Sequence, residues 1–166
     1  MIYNLQQIFS QQIQLDKHIH ENRDVTYKQV HKHLKLALIV ELCELANEVR
    51  SFKFWSIKKP SSNDILLEEY VDGIHFITSL CIYHKMKNYK FLMPANLKSI
   101  NNKDILTNKF TLLIKKACEI NDKKSAKKWY LEYLKFGYLL GFNIDQIIDA
   151  YNKKNMINHK RQNENY

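Results

Sequence analysis

The run Leu38-Ile39-Val40-Glu41-Leu42-Cys43-Glu44-Leu45-Ala46-Asn47-Glu48 sets three carboxylates into an apolar stretch. On a helix Glu41 and Glu44 lie about 60° apart around the axis, and Glu48 returns to within about 20° of Glu41. A second pair follows in Leu67-Glu68-Glu69-Tyr70-Val71-Asp72-Gly73, where Glu69 and Asp72 are again three residues apart, ahead of the apolar run Ile74 to Leu80. Glu68 lies about 100° round from Glu69 and is expected to face solvent. Unpaired carboxylates beside a core are expensive to ionise, so something cationic should compensate them. Two antiparallel helices facing each other would pool Glu41, Glu44, Glu69 and Asp72 into an all-oxygen cage. Hard divalent cations take such donors, and Mg²⁺ in particular takes few carboxylates plus phosphate oxygens and water. The competing account is a pair of solvated acidic faces, because carboxylates at i, i+3 are common on exposed helices. Two such pairs in apolar surroundings, on helices joined by a short connection, favour the cage. Asn47 and Glu48 fit either an outer layer of that cage or plain surface.

A cage of this kind needs long helices, and the composition favours them. Hydrophobic residues make up 45 % of the 166, while only 3 Gly and 2 Pro are present for the turns of an all-β fold. Helical spacing of Ile2, Leu5, Ile8, Phe9, Ile13 and Leu15 predicts a first helix over 2–20, ended by Glu21-Asn22-Arg23-Asp24. A second should start near Thr26 and run to about Ser51, and Pro60-Ser61-Ser62-Asn63-Asp64 signals a third over about 63–87. Residues 88–102, with Pro94 and several Asn, read as a loop. Two further helices follow at roughly 103–121 and 125–140; Gly141 stops the latter, and Asn143 caps a sixth over about 144–157, before a polar tail from His159 to Tyr166. The expectation is one domain over 1–166: an all-α bundle of about six helices, with the site between the second and the third.

The remaining composition excludes more than it selects. Basic residues number 26 against 17 acidic, a formal charge of +9, which fits a solvated lysine-rich surface or attraction to polyanions such as nucleic acid or free nucleotides. Lys and Arg are scattered apart from Lys123 to Lys128, so nucleic acid is not the expected partner. Cys43, Cys81 and Cys118 have neither disulfide nor zinc spacing and are expected to be small core residues of a reduced, cytoplasmic protein. The opening Met1-Ile2-Tyr3-Asn4 has no basic-then-apolar pattern, so no secretory leader is expected. The most apolar stretch, Leu36 to Val40, runs straight into glutamates, so no membrane span is expected.

Three ordered motifs now stand together: Glu41-Leu42-Cys43-Glu44-Leu45-Ala46-Asn47-Glu48 with Phe52-Lys53-Phe54-Trp55-Ser56; Leu67-Glu68-Glu69-Tyr70-Val71-Asp72-Gly73-Ile74-His75-Phe76; and Tyr151-Asn152-Lys153-Lys154-Asn155-Met156-Ile157-Asn158-His159-Lys160-Arg161-Gln162. From Leu5 to Tyr166 the chain resembles the dimeric, all-α dUTPases of Gram-positive bacteria and their phages, within the MazG-like nucleotide pyrophosphatase superfamily. The resemblance implies a homodimer in which Glu41, Glu44, Glu69 and Asp72 hold the Mg²⁺ ions that bridge the triphosphate of a deoxyuridine nucleotide. One of the first pair, Glu44 ahead of Glu41, would position or deprotonate the attacking water, with no protein nucleophile. It further implies that Phe76 packs under the deoxyribose, that Trp55 closes over the base, and that Gln12 and Asn158 hydrogen-bond the uracil edge. Phe76 also fits an ordinary core aromatic, Trp55 a packing residue, and Gln12 and Asn158 plain surface. Lys154 and Arg161 would grip phosphates, Arg161 with its forked donors; Lys53 and Lys58 are weaker candidates. Family members commonly close the last motif with Gly-Tyr, whereas here Gln162 is followed by Asn163-Glu164-Asn165-Tyr166, and no longer tail over the phosphates is expected. Met86 to Lys128 carries no family motif and reads as scaffold and dimer surface.

The implied activity is Mg²⁺-dependent hydrolysis of dUTP to dUMP and pyrophosphate. A house-cleaning pyrophosphatase of the same superfamily acting on another nucleotide, such as dCTP or a damaged base, would keep the same cage. A basic helical binding protein without catalysis fits the charge, but four carboxylates kept inside apolar helices without a metal would be costly.

Overall fold

Capping chemistry sets most of the helix ends. Thr26 and Gln29 form a reciprocal capping box ahead of α2 (Tyr27–Val49), and Asn143, accepting from the Gln146 amide at 2.9 Å, opens α6 (Ile144–Asn163) with another. Asp122 does the same with Ser125 for α5 (Lys123–Leu139), and Asn102 accepts from Ile105 N–H at the start of α4 (Lys103–Cys118). Left-handed Asp24 (φ 50°) and Arg50 (φ 60°) close α1 (Gln6–Arg23) and α2. Gly141 turns the chain after α5 at φ +99°, a conformation that strains any residue with a Cβ. Ser62 stands at the N-cap of α3 (Asn63–Tyr83). The computed structural model describes residues 2–94 and 98–164; the expectations placed on Tyr166 lie outside the described residues.

The protein is all-α, a bundle centred on the antiparallel pair α2 and α3. Ser61 N–H bonds the Glu48 carbonyl at one end of the pair, and His31 stacks on Tyr83 at 4.8 Å at the other. Leu38, Leu42 and Leu45 of α2 and Tyr70, Ile74 and Ile77 of α3 are all fully buried in one apolar cluster. Helix α3 is locked to α5 by a reciprocal contact: Tyr70 OH donates to the Tyr133 carbonyl at 3.0 Å, and Tyr133 OH donates to the Tyr70 carbonyl at 2.9 Å. The two rings stack at 4.6 Å. Each ring lies over a glycine of the opposite helix, because a Cβ on Gly73 would come 2.4 Å from Tyr133 Oη and one on Gly137 2.6 Å from Tyr70. Helices α1 and α6 close the other side, tied by Gln7 to Asn152, His18 to His159 and Asn22 to Gln162.

Several expectations are corrected. Ile2–Asn4 is not the start of the first helix but a short strand, β1, and Lys90–Leu92 within the expected loop is its antiparallel partner β2, in the register Ile2 to Leu92, Tyr3 to Phe91 and Asn4 to Lys90. The reason is alternation: Tyr3 and Phe91 point inward and stack at 5.4 Å, while their neighbours face solvent. Ile2 and Ile13 are exposed rather than core. Helix α3 ends at Tyr83, short of 87, where Lys85 turns left-handed at φ 63°. Helix α6 continues to Asn163 through the expected tail, because His159 and Gln162 dock on α1. Only Cys81 is a core cysteine; Cys43 and Cys118 are exposed. Among the described residues no helix is long and apolar enough to cross a membrane.

Gly73→Ala should therefore destabilise the protein by about 1–3 kcal/mol through overpacking against a tyrosine that has no room to swing. Urea unfolding checks this; an unchanged midpoint would show that the glycine–tyrosine interlock does not position α3.

Candidate active site

The helical repeat brings three of the four expected carboxylates together. Glu41 on α2 and Glu69 and Asp72 on α3 bring one carboxylate oxygen each within 4.8 Å of one another. Glu44, one turn on, is exposed and stands outside that triad, yet near enough that its charge acts on both Glu41 and Glu69. Glu68 faces solvent as expected but is not idle: Lys154 of α6 reaches in to bond Asp72 Oδ2 at 2.7 Å and Glu68 Oε1 at 3.0 Å. Asn47 and Glu48 are occupied in holding the segment after α2, Asn47 by Lys53 and Glu48 by Ser61.

Crowding shows in the proton affinities. Burial, then the charges of Asp72, Glu44 and Glu69, push the Glu41 carboxyl up to about 7 against the opposing pull of Lys154. Burial followed by Asp72 and Glu44 raises Glu69. Asp72 is raised as well, since burial outweighs its bond to Lys154. Burial disfavours the Lys154 ammonium, but Asp72 and Glu68 more than restore it.

Beside the carboxylates opens a cavity of about 340 Å³ walled by α1, α2, α3 and α6, a size suited to a small ligand. Glu41, Asp72, Lys154 and Arg161 give it a charged side, and Phe76 and Asn158 also line it. Arg161 Nη1 lies 3.4 Å from Asn158 Oδ1. Phe76 is half-buried and packs against the core. Gln12 lines the cavity as a buried group, not as surface, and its amide is already engaged, with Nε2 donating to Asp16 at 2.7 Å and Oε1 accepting from Tyr151 at 2.7 Å.

Trp55, Lys53 and Lys58 are not brought to the cavity. Trp55 is 65 % exposed and meets Phe54 and Phe52 edge-on at 5.0 and 6.0 Å, in the segment between α2 and α3. Three buried polar residues of the lining, Asp16, His75 and Ser79, carry no role in the sequence motifs. Asp16 takes bonds from Gln12, Tyr27 and Ser79, and burial raises its carboxyl despite them. Burial, with Lys154 adding to it, drops the His75 imidazole to about 3, so the ring stays neutral. The available signal was Asp16 at i+4 from Gln12 and His75 at i+3 from Asp72, polar residues on otherwise apolar helix faces.

An all-α bundle with clustered carboxylates facing a nucleotide-sized cavity defines the class of nucleotide hydrolases. The chain belongs to the dUTPase family, whose sequence profile matches residues 4–166. It is accordingly a nucleoside triphosphate pyrophosphohydrolase, a dUTP diphosphatase. No curated protein matches it. Enzymes of this kind generally depend on a divalent metal, and the Glu41–Glu69–Asp72 cluster is able to hold one.

The pH dependence of stability follows from Glu41. A carboxyl with a pKa near 7 when folded and 4.5 when unfolded binds more protons in the native state across that window, so stability falls as pH rises through it. In EDTA the melting temperature should drop from pH 5 to pH 8, and Glu41→Gln should flatten the drop. A steeper or unchanged slope in the variant would contradict like-charge crowding at Glu41.

Proposed function

We propose that the enzyme cleaves dUTP between the α and β phosphates, giving dUMP and pyrophosphate, with Mg²⁺ held by Glu41, Glu69 and Asp72 and joined by Glu44. The observation that carries this is the carboxylate cluster at the charged side of the cavity. Its donors are all oxygen, as a hard cation requires, and burial together with the charges of Asp72, Glu44 and Glu69 raises the Glu41 carboxyl. When bound, a divalent ion offsets phosphate charge and assists the attacking water as a Lewis acid.

The chain's own groups do the rest. Glu44, solvent-facing and outside the triad, accepts the proton of the attacking water. Lys154 and Arg161 line the cavity and bind phosphate oxygens, Lys154 exchanging Asp72 and Glu68 for the substrate. Phe76 lies one turn beyond Asp72 and packs under the deoxyribose, leaving no room for a 2′-hydroxyl. Asn158 and the buried polar residues around Gln12 hold the base.

The working form is a cytoplasmic homodimer. Its support is the family resemblance together with Phe54, Trp55 and Ile57, which are 90 %, 65 % and 103 % exposed and form an apolar patch of the kind that seeks a partner. In that form the patch covers the base side of a site, as the resemblance implies for Trp55. Three unpaired cysteines suit a reducing compartment.

Pyrophosphate release from dUTP, dCTP, dTTP and UTP, each with Mg²⁺ and with EDTA, tests the whole scheme. Release should be fastest from dUTP and vanish in EDTA; preferred release from another nucleotide would keep the cage and move the enzyme to a different substrate. Glu41→Gln should lower kcat by at least about 100-fold, on the scale of losing one electrostatic catalytic group, while circular dichroism stays native. Near-normal turnover by that variant would remove Glu41 from the site. Lys154→Met should raise KM for dUTP by about 10-fold, the scale of one charge-assisted hydrogen bond; an unchanged KM would return Lys154 to a purely structural role.

A further inference from the structure

The cavity lining also includes buried polar groups whose directions are fixed. Asp16 receives Tyr27 OH at 2.6 Å, Ser79 Oγ at 2.9 Å and the Gln12 amide at 2.7 Å. A carboxylate only accepts, so it must face Gln12 Nε2, and this turns Gln12 Oε1 the other way. That oxygen is 2.7 Å from Tyr151 OH and 2.8 Å from His75 Nδ1. An amide oxygen accepts, so Nδ1 carries the imidazole proton. The neutral ring then has a bare lone pair at Nε2.

That Nε2 is buried and has no hydrogen-bond partner among the described residues, although His75 lines the cavity and is only 5 % exposed. Stacking on Tyr151 at 4.2 Å and 21° holds the ring plane, and flipping it would set Cδ2–H in place of the Nδ1–H donor against Gln12 Oε1. A buried acceptor left open beside a cavity calls for a donor on whatever fills the cavity.

We propose that His75 Nε2 accepts the N3–H of the uracil ring, and that Asp16, acting through Gln12, is the positioning residue that keeps His75 in its accepting tautomer. This deepens the functional reading above and rests on it. The base must present an N–H at that point. Uracil does; cytosine has a lone pair at N3, so two acceptors would meet with neither satisfied. The cost of an unpaired buried group is what makes such a contact discriminate. Thymine shares the N3–H, so its rejection belongs to other residues.

The test measures kcat/KM for dUTP and dCTP with the wild-type enzyme and with His75→Phe. The preference of the wild type for dUTP should fall by about 10- to 100-fold in the variant, the range expected for one lost buried hydrogen bond, and the fall should come from dUTP. A variant that loses activity on both substrates equally and keeps the wild-type ratio overturns the proposal. A wild-type enzyme with no preference for dUTP fails earlier, at the functional reading itself, and takes the proposal with it. Because His75→Phe also strips Gln12 of a partner and can misfold, the unmodified protein provides a second readout. With ¹⁵N-labelled histidine, the free enzyme should show His75 as the Nδ1–H tautomer, and saturating dUMP should shift its bare Nε2 resonance while dCMP does not. An Nε2–H tautomer, or an Nε2 resonance unmoved by bound dUMP, overturns the proposal.

Discussion

Negative charge held against itself where α2 meets α3 is the constraint on which the site depends. With oxygens within 4.8 Å, two ionised carboxylates repel by roughly 3 kcal/mol at an effective dielectric near 20, before further screening by water. Free helices would relieve this by rotating apart. They cannot, because Leu38, Leu42 and Leu45 beneath Glu41, and Tyr70 and Ile74 beside Glu69 and Asp72, are fully buried, and rotation would carry them into water. Helix α3 is further pinned by the Tyr70–Tyr133 exchange over Gly73 and Gly137. The apolar face thus stabilises the pair, and the acidic face stores part of that stabilisation as repulsion. A proton on Glu41 relieves it, Lys154 relieves it partly, and a divalent cation relieves it best.

The cavity extends this logic. Its lining joins Glu41, Asp72, Lys154 and Arg161 to the uncharged Gln12, His75 and Ser79, which are tied to Asp16 directly or, for His75, through Gln12. Placing these on four helices gives each set a rigid support, since side chains on packed helices hold position better than those on loops. Helix α6 contributes to both, with Tyr151 bonded to Gln12 and Lys154 and Arg161 lining the cavity.

Local signals in the chain made the helices and the three clustered carboxylates legible. Asn143, Gly141 and Thr26 act through groups three or four residues away, and the i, i+3 carboxylates follow from the helical repeat alone. What escaped was non-local. The Tyr3–Phe91 stack that makes two strands joins residues 88 apart, and three-residue strands have too little alternation to announce themselves. The last turns of α6 look like a polar tail because their partners, His18 and Asn22, are at the other end of the sequence. Gln12, beside Gln11 and Gln14, fits a base contact or plain surface equally well in sequence, and its bonds to Asp16, Tyr151 and His75 are long-range or out of register with any motif. The position of Trp55 depends on what covers it, which no local pattern states.

The charge of the whole and the charge of the site have opposite signs, and both serve one task. A surplus of +9 spread over the surface draws a polyphosphate toward the protein, an attraction that salt screens over about 8–10 Å. On the function proposed above, the substrate then meets Glu41, Glu44, Glu69 and Asp72, which repel the same phosphates. Lys154 cannot offset four carboxylates, and it is already committed to Asp72 and Glu68. The last few ångströms of approach are therefore favoured once a cation offsets these carboxylates. On this argument metal dependence is a consequence of packing as much as of chemistry: apolar helix faces fix the carboxylates too close together for the triphosphate to be accepted by the protein alone.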